Sequence, residues 1–309
     1  MVPHTRRVLS SRANALLAAS LVFAILLWGA SNAGTKYIVA EWPPIWTGGT
    51  RFIGAGLLFL GLLRMTKWFG PLQPLSRELS RGLWWRGGLS LAAYIVVFNW
   101  SFSYIPVAHV VLYLGAAPVW ALLWEGRPPN VRLAIQRYGA ALLALTGVFV
   151  LLWPALRDSG VHLRGELLGL TASVLWTNYG RQCRSLTKEL GGAQVSAHTM
   201  WRAGVLLIPF MILEGGPAAE TLSSDRLAIQ AYCIVGGGVV AYGIWSIALR
   251  RWTTSRVYLF NNLIPLSSML WAHFTLGEAV TSTFWIAMTL IVSGVLLGQA
   301  NWLRARSPE

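Results

Sequence analysis

Six stretches of this chain contain no Asp, Glu, Lys or Arg: 13–35, 87–124, 138–156, 227–249, 257–277 and 279–303. Runs of that length decide the fold class before anything else, because a helix needs about 20 apolar residues to cross the roughly 30 Å hydrocarbon core of a bilayer. The 87–124 run is long enough for two helices, with Pro106 and the nearby Ser101, Ser103 and Tyr104 marking the turn between them. Three further spans carry charges, mostly near an end: 45–64 with Arg51, 165–184 with Glu166 and Arg181, and 195–213 with Arg202. The expected fold is therefore an all-α integral membrane protein with ten transmembrane helices. Only 12% of the residues are charged, against about 25% in a soluble domain, which excludes an ordinary soluble enzyme and a disordered chain. The net charge of +14 does not point to nucleic acid, since the basic residues sit in short clusters between apolar runs. The first span is too long for a cleaved signal peptide and lacks a small-residue cleavage site.

Lys and Arg counts give an orientation. With the amino terminus inside, the inner segments hold 19 basic residues: Arg6, Arg7 and Arg12; Arg64, Lys67, Arg77, Arg81 and Arg86; Arg127, Arg132 and Arg137; Arg181, Arg184 and Lys188; Arg250, Arg251 and Arg256; Arg304 and Arg306. The outer side holds five, namely Lys36, Arg51, Arg157, Arg164 and Arg226. Cytoplasmic loops carry the excess of Lys and Arg, so both termini are expected in the cytoplasm. The longest connection, roughly 65–82, is a basic inner loop too short to fold alone.

The two halves repeat each other. Ala-Ile-Leu-Leu-Trp28 matches Ala-Ser-Val-Leu-Trp176, Arg51 matches Arg202, Pro118 matches Pro265, and Thr-Gly147-Val matches Ser-Gly294-Val. Six residues beyond each proline stand Trp124 and Trp271. Five helices per repeat is an odd number, so the second copy enters the membrane from the opposite side. Such inverted repeats place a substrate site near the midplane and permit alternating access. The expected boundaries are a cytoplasmic segment 1–13, a first five-helix repeat 14–155, a second repeat 164–303 and a cytoplasmic tail 304–309.

Trp28-Gly29-Ala-Ser-Asn32 with Lys36, then Pro43-Pro44 and Arg51-Phe52, resemble the opening of the five-helix repeat of the drug/metabolite transporter superfamily. Ile105-Pro-Val-Ala-His-Val, Pro118, Gly139 and Gly147 continue that pattern. Gly165-Glu-Leu-Leu-Gly169, Trp176, Arg202, Pro265 and Leu276-Gly277-Glu278 repeat it. The resemblance covers roughly residues 14–303, and within the superfamily the chain looks most like the bacterial aromatic amino acid exporters. It implies a transporter, not an enzyme, acting on a small molecule, with no cofactor and no required oligomer. One departure is visible: the Leu-Gly-Glu278 that closes the ninth span has no counterpart in the first half, where the matching position is Val131.

Polar and aromatic residues inside spans are the informative ones. The candidates for lining a substrate path are Trp28, Asn32, Tyr94, Asn99, Trp100, His109, Tyr113, Trp176, Asn178, Tyr179, Tyr242, Trp245, Asn261 and Asn262; Thr171 is a further polar residue in a span. Each has an alternative role. The asparagines can join helices, His109 can be a satisfied structural histidine, and a membrane Trp can be an interfacial anchor, as expected for Trp42, Trp46, Trp68, Trp84, Trp85, Trp153, Trp252 and Trp302. Arg51 and Arg202 recur in both halves, which favours a structural role. An aromatic cavity holds flat or cationic groups by stacking and cation–π contact, each worth about 0.5–2 kcal/mol. Carboxylates lie only at span ends (Glu41, Glu125, Glu166 and Glu278), which argues against a dedicated proton/cation antiporter and for facilitated or weakly coupled transport. The alternative cargoes are aromatic cationic drugs and nucleotide-linked sugars. A membrane-embedded enzyme is disfavoured, since no buried nucleophile with its base and no metal-ligand spacing is present. Twenty-two Arg against three Lys, with abundant Ala and Gly, suit a GC-rich bacterial genome and a place in the inner (plasma) membrane.

Overall fold

The structure, a computed structural model, describes residues 11–117, 120, 124, 130–157, 161–187, 189–251, 260 and 263–304. Among the described residues it is helical throughout, without strands. In chain order the helices are α1 (Ser11–Val39), α2 (Pro44–Met65), α3 (the continuous segments Arg77–Gly82, Leu83–Gly88 and Leu89–Phe102), α4 (Val107–Gly115), α5 (Val131–Arg157), α6 (Val161–Leu186), α7 (Gly192–Glu214), α8 (Ser224–Tyr232, Cys233–Val240 and Ala241–Arg251), α9 (Ile264–Leu276) and α10 (Ser282–Arg304). Arg12–Val39, Pro44–Met65, Val131–Leu151, Gly192–Glu214 and Ser224–Ala248 are long and apolar enough to cross a membrane by length and composition. The turn at Pro106 falls where the serine-rich break in the long apolar run places it.

The packing repeats under exchange of the halves. α1 packs on α8 and α9, and its equivalent α6 packs on α3 and α4; α2 packs on α7, and α5 on α10. Small residues set these distances. A Cβ at Gly56 would lie 2.3 Å from the Trp201 backbone nitrogen, one at Gly204 2.8 Å from the Gly49 carbonyl oxygen, and one at Gly294 2.7 Å from the Ala140 carbonyl oxygen. Close backbone approach is what binds helices in lipid, where no hydrophobic force acts between them. Pairing Gly49 with Gly204 and Gly56 with Trp201 makes α2 and α7 antiparallel; Gly147 against Ile291 and Ala140 against Gly294 do the same for α5 and α10. Equivalent helices running in opposite directions are what a two-fold axis in the membrane plane requires.

α3 and α8, equivalent by position, each contain a π-helical segment, Leu83–Gly88 and Cys233–Val240. Both are glycine-rich and both press on the other half. A Cβ at Gly87 would sit 2.4 Å from Thr199 Cγ2 on α7, and one at Gly238 2.5 Å from Ala55 Cβ on α2. π segments inside α-helices occur frequently at functional sites.

Candidate functional site

α1 presents Trp28, Ser31, Asn32 and Thr35 on one face, as the spacing of three, four and seven residues requires. Trp28 donates from Nε1 to the Gly237 carbonyl of the α8 π segment (3.0 Å). Its ring meets Tyr242 edge-on at 5.2 Å and Trp245 at 6.5 Å between centroids. A second group of rings faces from α3 and α6: Tyr94 stacks on Phe98 (5.0 Å) and leans on Trp176 (5.0 Å), which in turn leans on Tyr179 (5.4 Å). Each group spans the halves, the first through α1 and α8 and the second through α3 and α6. Six of the expected candidates thus pair across the halves in two groups, Trp28 with Tyr242 and Trp245, and Tyr94 with Trp176 and Tyr179. Trp28, Trp176, Tyr242 and Trp245 are only half-buried there.

The three candidate asparagines within the described residues hold helices together. The Asn32 amide donates to Ser268 Oγ on α9 (3.0 Å), Asn99 to the Pro44 carbonyl on α2 (2.9 Å) and Asn178 to Ser90 Oγ on α3 (3.0 Å). Asn261, Asn262 and Pro118 lie outside the described residues. Thr171 is exposed and donates to the Leu167 carbonyl one turn back (2.7 Å), on an outward groove with Leu163, Arg164, Leu167 and Leu168; it does not join the rings. Trp42, expected as an anchor at the lipid interface, is 4% exposed and donates to the Thr221 carbonyl (3.0 Å), so its length of apolar ring is used inside the protein.

Three candidates gather at the end of the molecule where α2 and α4 begin. His109 Nδ1 lies 2.6 Å from Glu166 Oε1, joining α4 to α6, and the Tyr113 hydroxyl sits beside the same carboxylate. Glu166 is 3% exposed: a carboxylate near a span end in sequence is nonetheless buried. Trp100 donates from Nε1 to Glu214 Oε1 (3.3 Å). Sequence reasoning did not single out Glu214, whose other oxygen accepts from the backbone N–H groups of Ile45 (2.8 Å) and Trp46 (3.0 Å). The available signal was the start of α2 at Pro43-Pro44, which offers no capping side chain and leaves orphan N–H groups for an outside acceptor. Glu278 does the same for α4, which starts after Pro106 without a side-chain cap: its carboxylate accepts from Val107 N (2.9 Å) and pairs with Lys36 (3.5 Å). Lys36 also donates to the carbonyls of Phe102 (3.1 Å) and Ile105 (2.7 Å).

The two repeated arginines differ in their surroundings. Arg202, 4% exposed, has Nη1 at 3.0 Å from His198 Nδ1 and 3.2 Å from the His198 carbonyl, and it lies over the rings of Trp201 (4.3 Å) and Trp84 (5.3 Å). Arg51, 7% exposed, donates to Thr35 Oγ1 (2.9 Å) and has the Phe52 ring at 5.4 Å.

A bundle of inverted five-helix repeats, with aromatic rings between them and helix-end carboxylates gripping the opposite half, is the architecture of a membrane transporter. Residues 15–153 match the profile of the EamA-like transporter family, and residues 163–298 match it again; the chain belongs to that family. A relative from Escherichia coli (strain K12) named "Probable amino-acid metabolite efflux pump" is 24% identical over 295 residues, 93% of this chain and 95% of its own. Another from the same strain, named "Uncharacterized inner membrane transporter YedA", is 23% identical over 88% of this chain and 87% of its own. A solved structure described only as "Crystal structure of protein" superposes with a TM-score of 0.61 at 22% identity, covering 95% of this chain and 99% of that one, and shows the fold. The chain is a multi-pass transporter of the inner membrane, not an enzyme.

Proposed function

We propose that this transporter exports amino acids with aromatic side chains, by alternating access along a path between α1, α3, α6 and α8. The observation that carries this reading is the pairing of aromatic rings across the two halves, Trp28 with Tyr242 and Trp245 between α1 and α8, and Tyr94 with Trp176 between α3 and α6. Offset or edge-on ring pairs add about 0.5–1.5 kcal/mol each beyond the area they bury, so a planar cargo replacing protein–protein ring contacts is held without a dedicated apolar pocket. The E. coli relative named an amino-acid metabolite efflux pump supports the amino-acid class. A cationic drug fits less well: the Arg51 guanidinium lies beside Gly237, whose carbonyl holds the Trp28 indole, and it repels a cation.

The test is uptake by purified protein in liposomes of Trp, Phe and Tyr against Ala, Lys and a viologen cation. Aromatic amino acids are expected to move fastest. Equal rates for Ala and Trp, or faster movement of the viologen, would refute the reading.

A further inference from the structure

We propose that the chain between α2 and α3, residues 66–76, is a gate across the transport path at the end where α2 finishes, with Phe69 as its plug and Gln194 as its catch. The proposal rests on the path running between α1, α3, α6 and α8, and is independent of which amino acid uses it. In sequence the segment reads as an ordinary basic loop, but in the structure it turns back onto the bundle. The Thr66 N–H donates to the Leu62 carbonyl at the end of α2 (3.0 Å). Gly70 then reverses the chain at φ 91°, a conformation glycine adopts without strain, and its N–H donates to the Lys67 carbonyl (3.1 Å).

Two contacts carry the segment to the other half. The Phe69 ring meets Phe59 of α2 edge-on at 5.4 Å between centroids. It also covers Gly243 of α8, where a Cβ would lie 3.3 Å from Phe69 Cζ. Phe59 is 0% exposed, and Phe69 packs with it against the main apolar core. Gly243 follows Tyr242, whose ring meets Trp28, so the plug lies one residue from the rings assigned to the path. The second contact is independent of the first. The Gln73 N–H donates to Gln194 Oε1 (3.0 Å), and the Gln73 carbonyl accepts from Gln194 Nε2 (2.8 Å). A primary amide presents a donor and an acceptor side by side, and here both are spent on one backbone residue of the segment. Gln194 stands in the first turn of α7 and is 5% exposed, so its amide is placed by the helix. The catch holds the segment where Phe69 is aimed at α8; released from it, the turn at Gly70 carries the ring away from Gly243. Plug and catch are uncharged, so release needs neither a proton nor a counter-ion.

The experiment follows a thiol behind the plug. In protein with Cys183 and Cys233 replaced by Ala, Val239→Cys puts a thiol one turn deeper on the face of α8 that Phe69 covers, at a site 8% exposed. Phe69→Ala and Gln194→Leu are each expected to raise its reaction rate with a polar maleimide about tenfold, as the loss of two hydrogen bonds permits. Ala108→Cys, at the far end, is expected to react no faster in either variant. An unchanged Val239→Cys rate in both variants overturns the proposal, and so does equal acceleration at both positions, which is general loosening. If Phe69→Ala does not fold, Gln194→Leu decides. A second measurement removes no contact of the plug: Gln73→Cys with Gln194→Cys, joined by a short bifunctional methanethiosulfonate, is expected to stop tryptophan uptake by liposomes until the link is reduced. Full uptake while linked overturns the gate. A wild type that moves no tryptophan at all refutes the cargo reading instead, and the thiol rates then decide the gate alone.

Discussion

Trp28 shows what a single residue does in this site: its ring meets Tyr242 edge-on and its N–H is tied to Gly237. Replacing it by Ala removes edge contacts of about 0.5–1.5 kcal/mol, so tryptophan transport is expected to fall between about twofold and tenfold. Trp28→Phe keeps the ring and recovers part of that loss; initial rates at fixed protein reconstitution check both. The rings were legible one by one in the sequence, because aromatic residues deep in apolar spans are few. Their partners were not, since Trp28 and Gly237 are 209 positions apart and no local pattern encodes that distance. The asparagines read as possible cargo ligands for the opposite reason: an amide looks the same in sequence whether it faces a path or, as for Asn99, the carbonyl of Pro44. Arg51 looked structural because it recurs as Arg202, yet the groups around each differ completely.

At the scale of elements, α2 offers a direct comparison. Gly56 leaves no room for a Cβ against the α7 backbone, whereas nothing lies within 4 Å of a Cβ at Gly61. Gly56→Ala is expected to destabilise the protein by about 1–3 kcal/mol, as overpacking does. Gly61→Ala should be neutral or stabilising by up to about 1 kcal/mol through helix propensity; thermal unfolding in detergent separates the two. The helix count was legible from charge-free runs, but those runs hid where α3 begins. It starts at Arg77 with Ser76 Oγ accepting from Leu79 N (3.1 Å) and Glu78 in the first turn, an ordinary capping arrangement. Arg77, Glu78, Arg81 and Arg86 broke the apolar run and so masked it. The π segments had only a faint trace, the glycine pairs and triplets at Gly87–Gly88 and Gly236–Gly238.

For the whole molecule the decisive feature is that one end is fastened across the halves. Glu214 and Glu278, both from the second repeat, cap α2 and α4 of the first, and Glu166 holds His109 beside them. Glu278 has no counterpart in the first half, where Val131 stands, and at the other end the described residues join the halves through neutral amides and a guanidinium instead, Gln73 with Gln194 and Arg86 with Gln182 and Ser185. The double variant Glu214→Gln, Glu278→Gln is expected to loosen that end. With Cys183 and Cys233 replaced, a cysteine at Ala108, 7% exposed in the native chain, should react faster with a membrane-impermeant maleimide in the variant; equal rates would refute the role of the caps. When that end separates, the amides of Ile45, Trp46 and Val107 lose the carboxylate oxygens they donate to. Solvent must fill the breach in the same step, which makes hydration part of the opening equilibrium. Excluded osmolytes such as sucrose, which penalise newly wetted surface, should then slow turnover in proportion to their concentration.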